Sequence, residues 1–340
     1  MRARRFLVAA SVVLGLLPLA GAAAAQSKTG TTLGQFLLLE PDARLAAMGN
    51  AGVTASQGLG GVFYNPAAIA AVEGRAVQFS HSEWLADIGF EHVILAMPVG
   101  KWGNGYASIT SLNSGDILVR TVDFPLGTGE RYQVSDIALS LGAGRFITDR
   151  FSVGVQLTYL QETIWNSSAG TMALNVGTLY RTSENGLHIG SSLSNFGTRA
   201  RYDGRDLRIL YDNDPTRYGD NGTLPGLRHT DAFALPTLFR VGLGWPHRFN
   251  RDHAMQLALD AHHPGDGEES VSLGGEWAFR ELLALRAGWQ NLFLRDSEMG
   301  ATLGAGIRGQ VEEYRYHCDY AWADHGRLGQ AHRLSVGVSF

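Results

Sequence analysis

The feature that most constrains this chain is a strict alternation of apolar and polar residues, which its last ten residues show most clearly. Leu334, Val336, Val338 and Phe340 are apolar, and the residues between them are polar or glycine. Alternation with a period of two predicts an extended strand with one apolar and one polar face. Such a strand fits a soluble sandwich as well as a membrane barrel, so this segment alone leaves both folds open.

Similar alternation recurs along most of the chain. We expect about fourteen strands, beginning with Ala76–Trp84 and ending with Ala331–Phe340. Many of them have roughly 9–11 residues, which is the length that a tilted strand needs to cross a bilayer. Tryptophans near strand ends are expected to form interfacial girdles. These tryptophans are Trp84, Trp102, Trp165, Trp245, Trp277, Trp289 and Trp322.

The lengths of the connections separate the two folds. Short turns such as Gly100–Gly103 and Arg280–Glu281 alternate with longer polar loops such as Asn113–Gln133 and Phe196–Ala234. Short turns at one end and long loops at the other are typical of bacterial outer-membrane barrels. The sequence therefore predicts an all-β fold, a closed antiparallel transmembrane β-barrel of about 14 strands.

The N-terminus predicts export. Arg2, Arg4 and Arg5 precede an apolar run from Phe6 to Leu17, and small residues follow up to Ala25. This order is that of a secretory signal peptide, which we assign to residues 1–25. No later run of about 18 apolar residues could form a spanning helix, so any crossing must be by strands. We expect the mature protein in the bacterial cell outer membrane.

Composition agrees with this class and excludes others. The formal charge is −4 with a pI of about 6.3, which gives no electrostatic case for binding nucleic acid. Charged residues make up 18%, below the roughly 25% of soluble domains. The 43 glycines suit a curved sheet with close backbone contacts. Cys318 is the single cysteine, which excludes an intrachain disulfide.

Residues 26–74 differ from the rest of the chain. Ala43–Gly49 predicts a short helix that ends at Gly49. Asn65 and Pro66 are the residues expected at the cap and the first position of a second helix. We expect a small N-terminal helical and looped plug over residues 26–74, followed by the barrel over residues 75–340.

Several motifs in the plug region carry a family resemblance. They are Gly30-Thr31-Thr32, Gly34-Gln35-Phe36-Leu37, Ala43-Arg44, Met48-Gly49-Asn50-Ala51 and Tyr64-Asn65-Pro66-Ala67. Together they resemble the PorV/PorQ family, within the larger FadL-like group of outer-membrane barrels. The resemblance implies about fourteen strands around an N-terminal segment. It also implies that the plug motif, Gly49, Asn65, Pro66 and Ala67, fixes the plug backbone and does not react.

The resemblance implies two alternative functions. A PorV-like barrel is a component of type IX secretion and binds secreted cargo proteins or secretion machinery through its loops and plug. A FadL-like barrel is a channel for the uptake of hydrophobic small molecules. Outer-membrane lipid surrounds the barrel in either case. PorV-like secretion is the main hypothesis, and FadL-like uptake is the alternative.

The sequence predicts no enzyme, no catalytic residues, no cofactor and no metal site. It contains neither G-x-S-x-G nor H-E-x-x-H. Alternation places Asp260 and His262 on one polar face, where we expect solvated luminal side chains. The acidic runs Asp212–Asp214 and Asp220–Gly222 are ordinary turn formers, although calcium is a conceivable ligand.

Charged residues on the polar faces of the last strands are candidate lumen charges. They are Arg286, Arg315, His317, Asp319 and Arg333. Unpaired charges are costly where water is excluded, so we expect mutual salt bridges that brace the barrel or the plug. One of these arginines could instead hold the carboxylate of a ligand.

Overall fold

The computed structural model of the chain describes residues 30–55, 58–183, 185–212, 216, 223–295 and 297–340. The predicted signal peptide lies outside the described residues. So do most of the acidic turn residues between Asp212 and Gly222.

Fourteen long antiparallel strands form a single closed barrel within the described residues. They are β1 (Ala76–Glu83), β2 (Gly89–Pro98), β3 (Asn104–Asn113), β4 (Val134–Thr148), β5 (Phe151–Ile164), β6 (Ser167–Arg181), β7 (His188–Gly197), β8 (Leu238–Arg248), β9 (His253–Pro264), β10 (Ser270–Phe279), β11 (Leu283–Leu292), β12 (Ala301–Val311), β13 (Tyr314–Asp324) and β14 (Gln330–Ser339). Each strand pairs with its neighbours in the chain, and β1 pairs with β14 to close the cylinder. The predicted barrel is confirmed.

Alternation along the strands gives the barrel two distinct surfaces. On β5, Val155 and Leu157 are exposed on the outer face, whereas Ser152 and Thr158 are buried on the inner face. Exposed apolar side chains recur in the same way around the cylinder. An apolar exterior around a polar interior is the arrangement that lipid requires of a strand-built membrane protein.

The two ends of the barrel carry different connections. The backbones of Arg75 and Phe340 exchange two hydrogen bonds of 2.8 Å, so the barrel begins and ends at the same rim. Short turns lie at this rim, and the longer loops, such as residues 114–133 and 198–237, lie at the other. Outer-membrane barrels have short turns on the periplasmic side, so the long loops are extracellular.

Several of the tryptophans predicted to form interfacial girdles lie on the outer face of the barrel, but Trp84 does not. Trp245, Trp277 and Trp289 are exposed on the outer face. The Trp84 ring instead lies 4.9 Å from the guanidinium of Arg333, which is buried on the inner face. The loop after β1 turns this ring toward the lumen, where a cation can stack on it. No helix in the described part of the chain is long and apolar enough to span a membrane.

The described part of residues 30–74, named here the luminal segment, lies inside the barrel. Its helical elements are a 3₁₀ turn at Gln35–Leu38, α1 (Ala43–Ala46), α2 (Gly61–Tyr64) and a 3₁₀ helix at Pro66–Ala71. The Asp42 carboxylate caps α1 by accepting the Leu45 amide at 2.8 Å. Gly49 follows with a φ of +65°, a conformation that favours glycine. The assignment of this region as a plug stays a prediction.

Glycines on the inner faces of the strands let the luminal segment approach the wall backbone. A Cβ at Gly154 would overlap the carbonyl group of Pro66, and one at Gly274 would overlap that of Met48. The same close approach occurs on many strands around the barrel. The glycines concerned are Gly144, Gly154, Gly177, Gly190, Gly242, Gly244, Gly274, Gly288 and Gly304.

Replacing one of these glycines should loosen the luminal segment. We expect Gly154→Val to displace Pro66 from the wall, because overpacking costs about 1–3 kcal/mol. The conductance of the purified protein in planar bilayers should rise, and its thermal unfolding temperature should fall. Gly309→Val is the matched control, since no described neighbouring atom lies within 4 Å of a Cβ at that position. Equal conductance and equal unfolding temperature of the two variants would show that Gly154 is not needed for the close approach of Pro66 to the wall.

Candidate functional site

Side chains of the barrel wall satisfy the irregular backbone of the luminal segment. The hydroxyl of Ser192 donates to the Tyr64 carbonyl at 2.7 Å. The Val53 amide donates to the Asp260 carboxylate at 2.8 Å, and the Gly49 amide donates to Thr302 at 3.0 Å. Backbone groups in a closed interior need such partners. The wall and the segment are therefore chemically matched along the lumen.

Asn65 is the most connected side chain of the plug motif. Its amide nitrogen donates to the carbonyls of Val53 and Thr178, both at 2.9 Å. Its oxygen accepts the Ala67 amide at 3.0 Å, which caps the helix that begins at Pro66. Asn65 thus ties two parts of the luminal segment to each other and to β6. These are the contacts that a backbone-fixing residue would make.

A buried ionic cluster joins the luminal segment to four neighbouring strands, β10 to β13. Arg44 donates to both carboxylate oxygens of Glu276 on β10, at 2.8 and 2.9 Å. Arg286 on β11 pairs with Glu276 at 2.6 Å and with Asp319 on β13 at 2.7 Å. Arg308 approaches Glu276 at 3.4 Å. The structure thus brings together two of the candidate lumen charges, Arg286 and Asp319.

Of the other three candidate lumen charges, His317 lies opposite Arg308 in the pairing of β12 with β13, whereas Arg333 and Arg315 lie apart from the cluster. Arg333 is buried and donates to the backbone carbonyl of Glu40 at 3.1 Å. Arg315 is largely exposed at the periplasmic rim, where it pairs with Glu73 at 3.2 Å. His317 lies beside the inner-face backbone of β14 and is partly exposed. Arg333 and Arg315 therefore contact the luminal segment, each apart from the ionic cluster.

Sequence reasoning missed Arg44 and Glu276, which form the centre of the cluster. Glu276 alternates with outward-facing residues on β10, so its period-two position could have revealed it. Arg44 gives no such signal, because it lies outside the strands. The expectation that Asp260 is solvated was wrong, since it is fully buried and accepts from the Val53 amide. No group of His, Cys, Asp and Glu side chains within the described residues is placed to hold a metal ion.

An open cleft of about 1240 Å³ lies between the extracellular loops. Much of its lining is aromatic or aliphatic, and two aromatic pairs, Tyr132 with Trp165 and Tyr202 with Phe233, have centroids about 6 Å apart. Ligand sites are commonly concave and apolar with a few polar groups. The main apolar lining residues are Ile117, Leu118, Tyr132, Ile164, Trp165, Tyr202, Leu207 and Phe233.

An apolar cluster lies directly beneath this cleft. Tyr202 and Phe233 line the cleft and also pack against the cluster, so the two are continuous. The luminal segment supplies part of it, and strands β2, β4, β5 and β6 supply most of the rest. The buried members are Leu33, Phe36, Phe90, Ala138, Leu160, Ala169, Ala173, Ala200 and Leu235.

Tyr202 also makes a polar contact at this level. Its hydroxyl donates to the Glu162 carboxylate at 2.7 Å, and the Gly34 amide donates to the other oxygen of Glu162 at 2.6 Å. The pKa of Tyr202 is raised, mainly by burial and to a smaller extent by the hydrogen bond to Glu162. The Tyr202 hydroxyl therefore stays a hydrogen-bond donor at neutral pH.

A small inner cavity of about 30 Å³ follows on the luminal side of the cluster. Leu37 and Ala138 line it, as do polar side chains such as Ser140, Thr158 and Arg240. Such a volume holds roughly two water molecules. Leu37 and Val62 of the luminal segment form part of the lining of this cavity.

The fold is shared with solved structures, although sequence comparison finds nothing. No protein-family model matches the chain, and no curated protein matches it in sequence. The toluene transporter TodX of Pseudomonas putida superimposes with a TM-score of 0.56 at 13% identity, over 88% of this chain and 98% of TodX. The toluene transporter TbuX of Ralstonia pickettii gives 0.51 at 12% identity, over 88% and 97%. The monoaromatic hydrocarbon channel CymD gives 0.53 at 12% identity, over 89% and 98%.

The closed cylinder, its apolar exterior and its asymmetric loops define an integral β-barrel of the bacterial outer membrane. The three similar structures share this barrel fold at 12–13% sequence identity. The shared fold agrees with the barrel that the sequence resemblance implies, and the PorV/PorQ part of that resemblance stays a prediction.

Removing Glu276 should destabilise the barrel strongly. We expect Glu276→Gln to lower the free energy of unfolding by about 3–5 kcal/mol, because it leaves buried arginines without a counter-charge. Urea unfolding of the refolded protein measures this change.

Glu281→Gln is the matched control. Glu281 pairs with Arg248 at the exposed periplasmic rim, where such a pair contributes less than about 1 kcal/mol. A Glu276→Gln variant as stable as this control would show that the cluster does not hold the luminal segment.

Proposed function

We propose that the protein is a channel that admits small hydrophobic molecules through the outer membrane. The observation that carries this proposal is the continuity of the extracellular cleft, the apolar cluster and the inner cavity. The names of the structurally similar proteins, toluene transporters and a monoaromatic hydrocarbon channel, agree with this function.

The route can be followed from residue to residue. Tyr202 and Phe233 belong to both the cleft and the apolar cluster. Leu37 and Ala138 belong to both the cluster and the inner cavity. A hydrophobic molecule that leaves water for the cleft gains free energy with each apolar surface it covers, at about 25 cal/mol per Å². Because the apolar surface continues through the cluster to the inner cavity, the molecule can move inward without leaving apolar contacts.

The luminal segment acts as the plug of this channel, in a chain divided into a plug over residues 26–74 and a barrel over residues 75–340. Leu33, Phe36 and Leu37 close the route by packing. The polar bonds of this part include those of the Leu33 amide to the Ala234 carbonyl at 2.8 Å and of the Gly34 amide to Glu162 at 2.6 Å. The Arg44 ionic cluster anchors a later part. We expect residues 33–39 to be the part that moves, because no ion pair holds them among the described residues.

The secretion alternative has no comparable support. The similar folds that bear on the question are hydrocarbon channels, and no contact among the described residues points to cargo proteins or to secretion machinery. A role in type IX secretion stays an expectation of the sequence motifs alone.

Uptake of a labelled hydrocarbon tests the proposed function. Bacterial cells that produce the protein should accumulate labelled toluene several-fold faster than cells without it. Leu118→Arg should remove most of this gain, because it puts a charge on the apolar lining of the cleft.

Leu126→Arg is the matched control, since Leu126 lies in the same loop but is 93% exposed and does not line the cleft. Its uptake should equal that of the unmodified protein. Equal uptake by cells with and without the protein would overturn the proposed function.

A further inference from the structure

Two carboxyl groups lie side by side on the inner face of two neighbouring strands. Asp136 on β4 and Glu162 on β5 are direct partners in the antiparallel pair. Both lie on the inner face and are 8% and 9% exposed, respectively. Side chains at directly opposite positions have Cβ atoms about 4.5–5.5 Å apart. The two carboxyl groups therefore adjoin in an interior from which water is largely excluded.

The two groups differ in how their oxygens are used. Both oxygens of Glu162 accept a hydrogen bond, from the Gly34 amide and from the Tyr202 hydroxyl. The Oδ1 atom of Asp136 is buried and has no hydrogen-bond partner among the described residues. Neither carboxyl forms an ion pair within the described part of the chain. A buried carboxylate oxygen without a donor is costly, so this position is prepared for one.

The pair lies between the extracellular cleft and the inner cavity. Tyr202, which contacts Glu162, lines the extracellular cleft. Ala138 lies two residues beyond Asp136 on the same face of β4 and lines the inner cavity. The apolar residues Phe36 and Leu160 belong to the cluster that lies at this level. The two carboxyl groups therefore lie beside the shortest path from the cleft residue Tyr202 to the cavity residue Ala138.

We propose that Asp136 and Glu162 form a recognition site for a hydrogen-bond donor, best a protonated amine, carried on a small apolar body. This inference rests on the proposed function and specifies the substrate class of the same channel. A protonated amine offers three donors and a positive charge, which offsets the repulsion between the carboxylates. A hydroxyl offers one donor, a hydrocarbon offers none, and a carboxylate is repelled.

Recognition at this site is coupled to the plug. The Gly34 amide, which belongs to residues 33–39 of the plug, occupies one oxygen of Glu162. A ligand amine that bridges the two carboxyl groups takes the place of this amide. When the substrate binds, the plug loses its hydrogen bond from Gly34 to the wall. Glu162 keeps a hydrogen-bond donor, because the amine of the substrate replaces the Gly34 amide.

Binding of four matched ligands tests the proposal. Toluene, benzyl alcohol, benzylamine and benzoate share one ring and differ in the polar group. We expect calorimetry on the purified full-length mature protein to show benzylamine binding at least about tenfold more tightly than toluene, because a charge-assisted hydrogen bond is worth that much. Benzyl alcohol should fall between them, and benzoate should bind most weakly.

Asp136→Asn should bring benzylamine to within about threefold of toluene while leaving toluene binding unchanged. Asp116→Asn removes the same charge from the exposed lining of the cleft and should keep the preference. Equal binding of toluene and benzylamine by the unmodified protein would overturn this inference and leave the proposed function standing. Loss of the preference in Asp116→Asn alone would also overturn it, by assigning the preference to the rim.

The ligand series on the unmodified protein decides the question even where Asp136→Asn fails to fold. Binding of none of the four ligands, together with no uptake of toluene by cells, would instead contradict the proposed function itself.

Discussion

Every polar backbone group at membrane depth must find a hydrogen-bond partner within the protein, and this requirement shapes both the wall and the contents of this barrel. The strands meet it by closing the sheet, with β1 paired to β14. The luminal segment cannot join that sheet, so side chains of the wall supply its partners. Ser192, Asp260 and Thr302 each bind its backbone directly. The same requirement thus explains a regular wall around an irregular interior.

Close contact between the luminal segment and the wall depends on glycine as much as on hydrogen bonds. Gly154 and Gly274 let the backbone of the segment lie against the backbone of the strands. The ionic cluster around Glu276 then fixes the segment on the opposite side of the lumen from the apolar cluster. Ion pairs hold one region of the luminal segment, whereas apolar packing and single hydrogen bonds hold the other.

The proposed route runs through the second of these regions. Apolar surface continues from the cleft through the apolar cluster to Leu37, and Asp136 and Glu162 adjoin that cluster. Two adjoining carboxyl groups at such a point would weaken the fold if they had no use. They are best explained as the polar contact that selects among hydrophobic molecules, since an apolar tunnel alone discriminates poorly between ligands of similar size.

The sequence by itself determined the strands, because the alternation of apolar and polar residues is a local property that does not depend on the packing partner of a strand. Alternation predicted about fourteen strands and the inward position of Arg286 and Asp319. The connection lengths predicted short turns at one end of the barrel and long loops at the other. The Asn65-Pro66 pair likewise marked a capped helix, which depends only on neighbouring residues.

Only the tertiary structure decided which inward groups meet. Arg44 and Glu276 are 232 residues apart, and nothing local to either residue indicates the other. Asp136 and Glu162 become partners through the register of β4 with β5, and a shift of one residue would have turned one of them toward lipid. Closure of the barrel and the path of the luminal segment inside it depend on contacts among all the strands. No single segment of the sequence therefore encodes them.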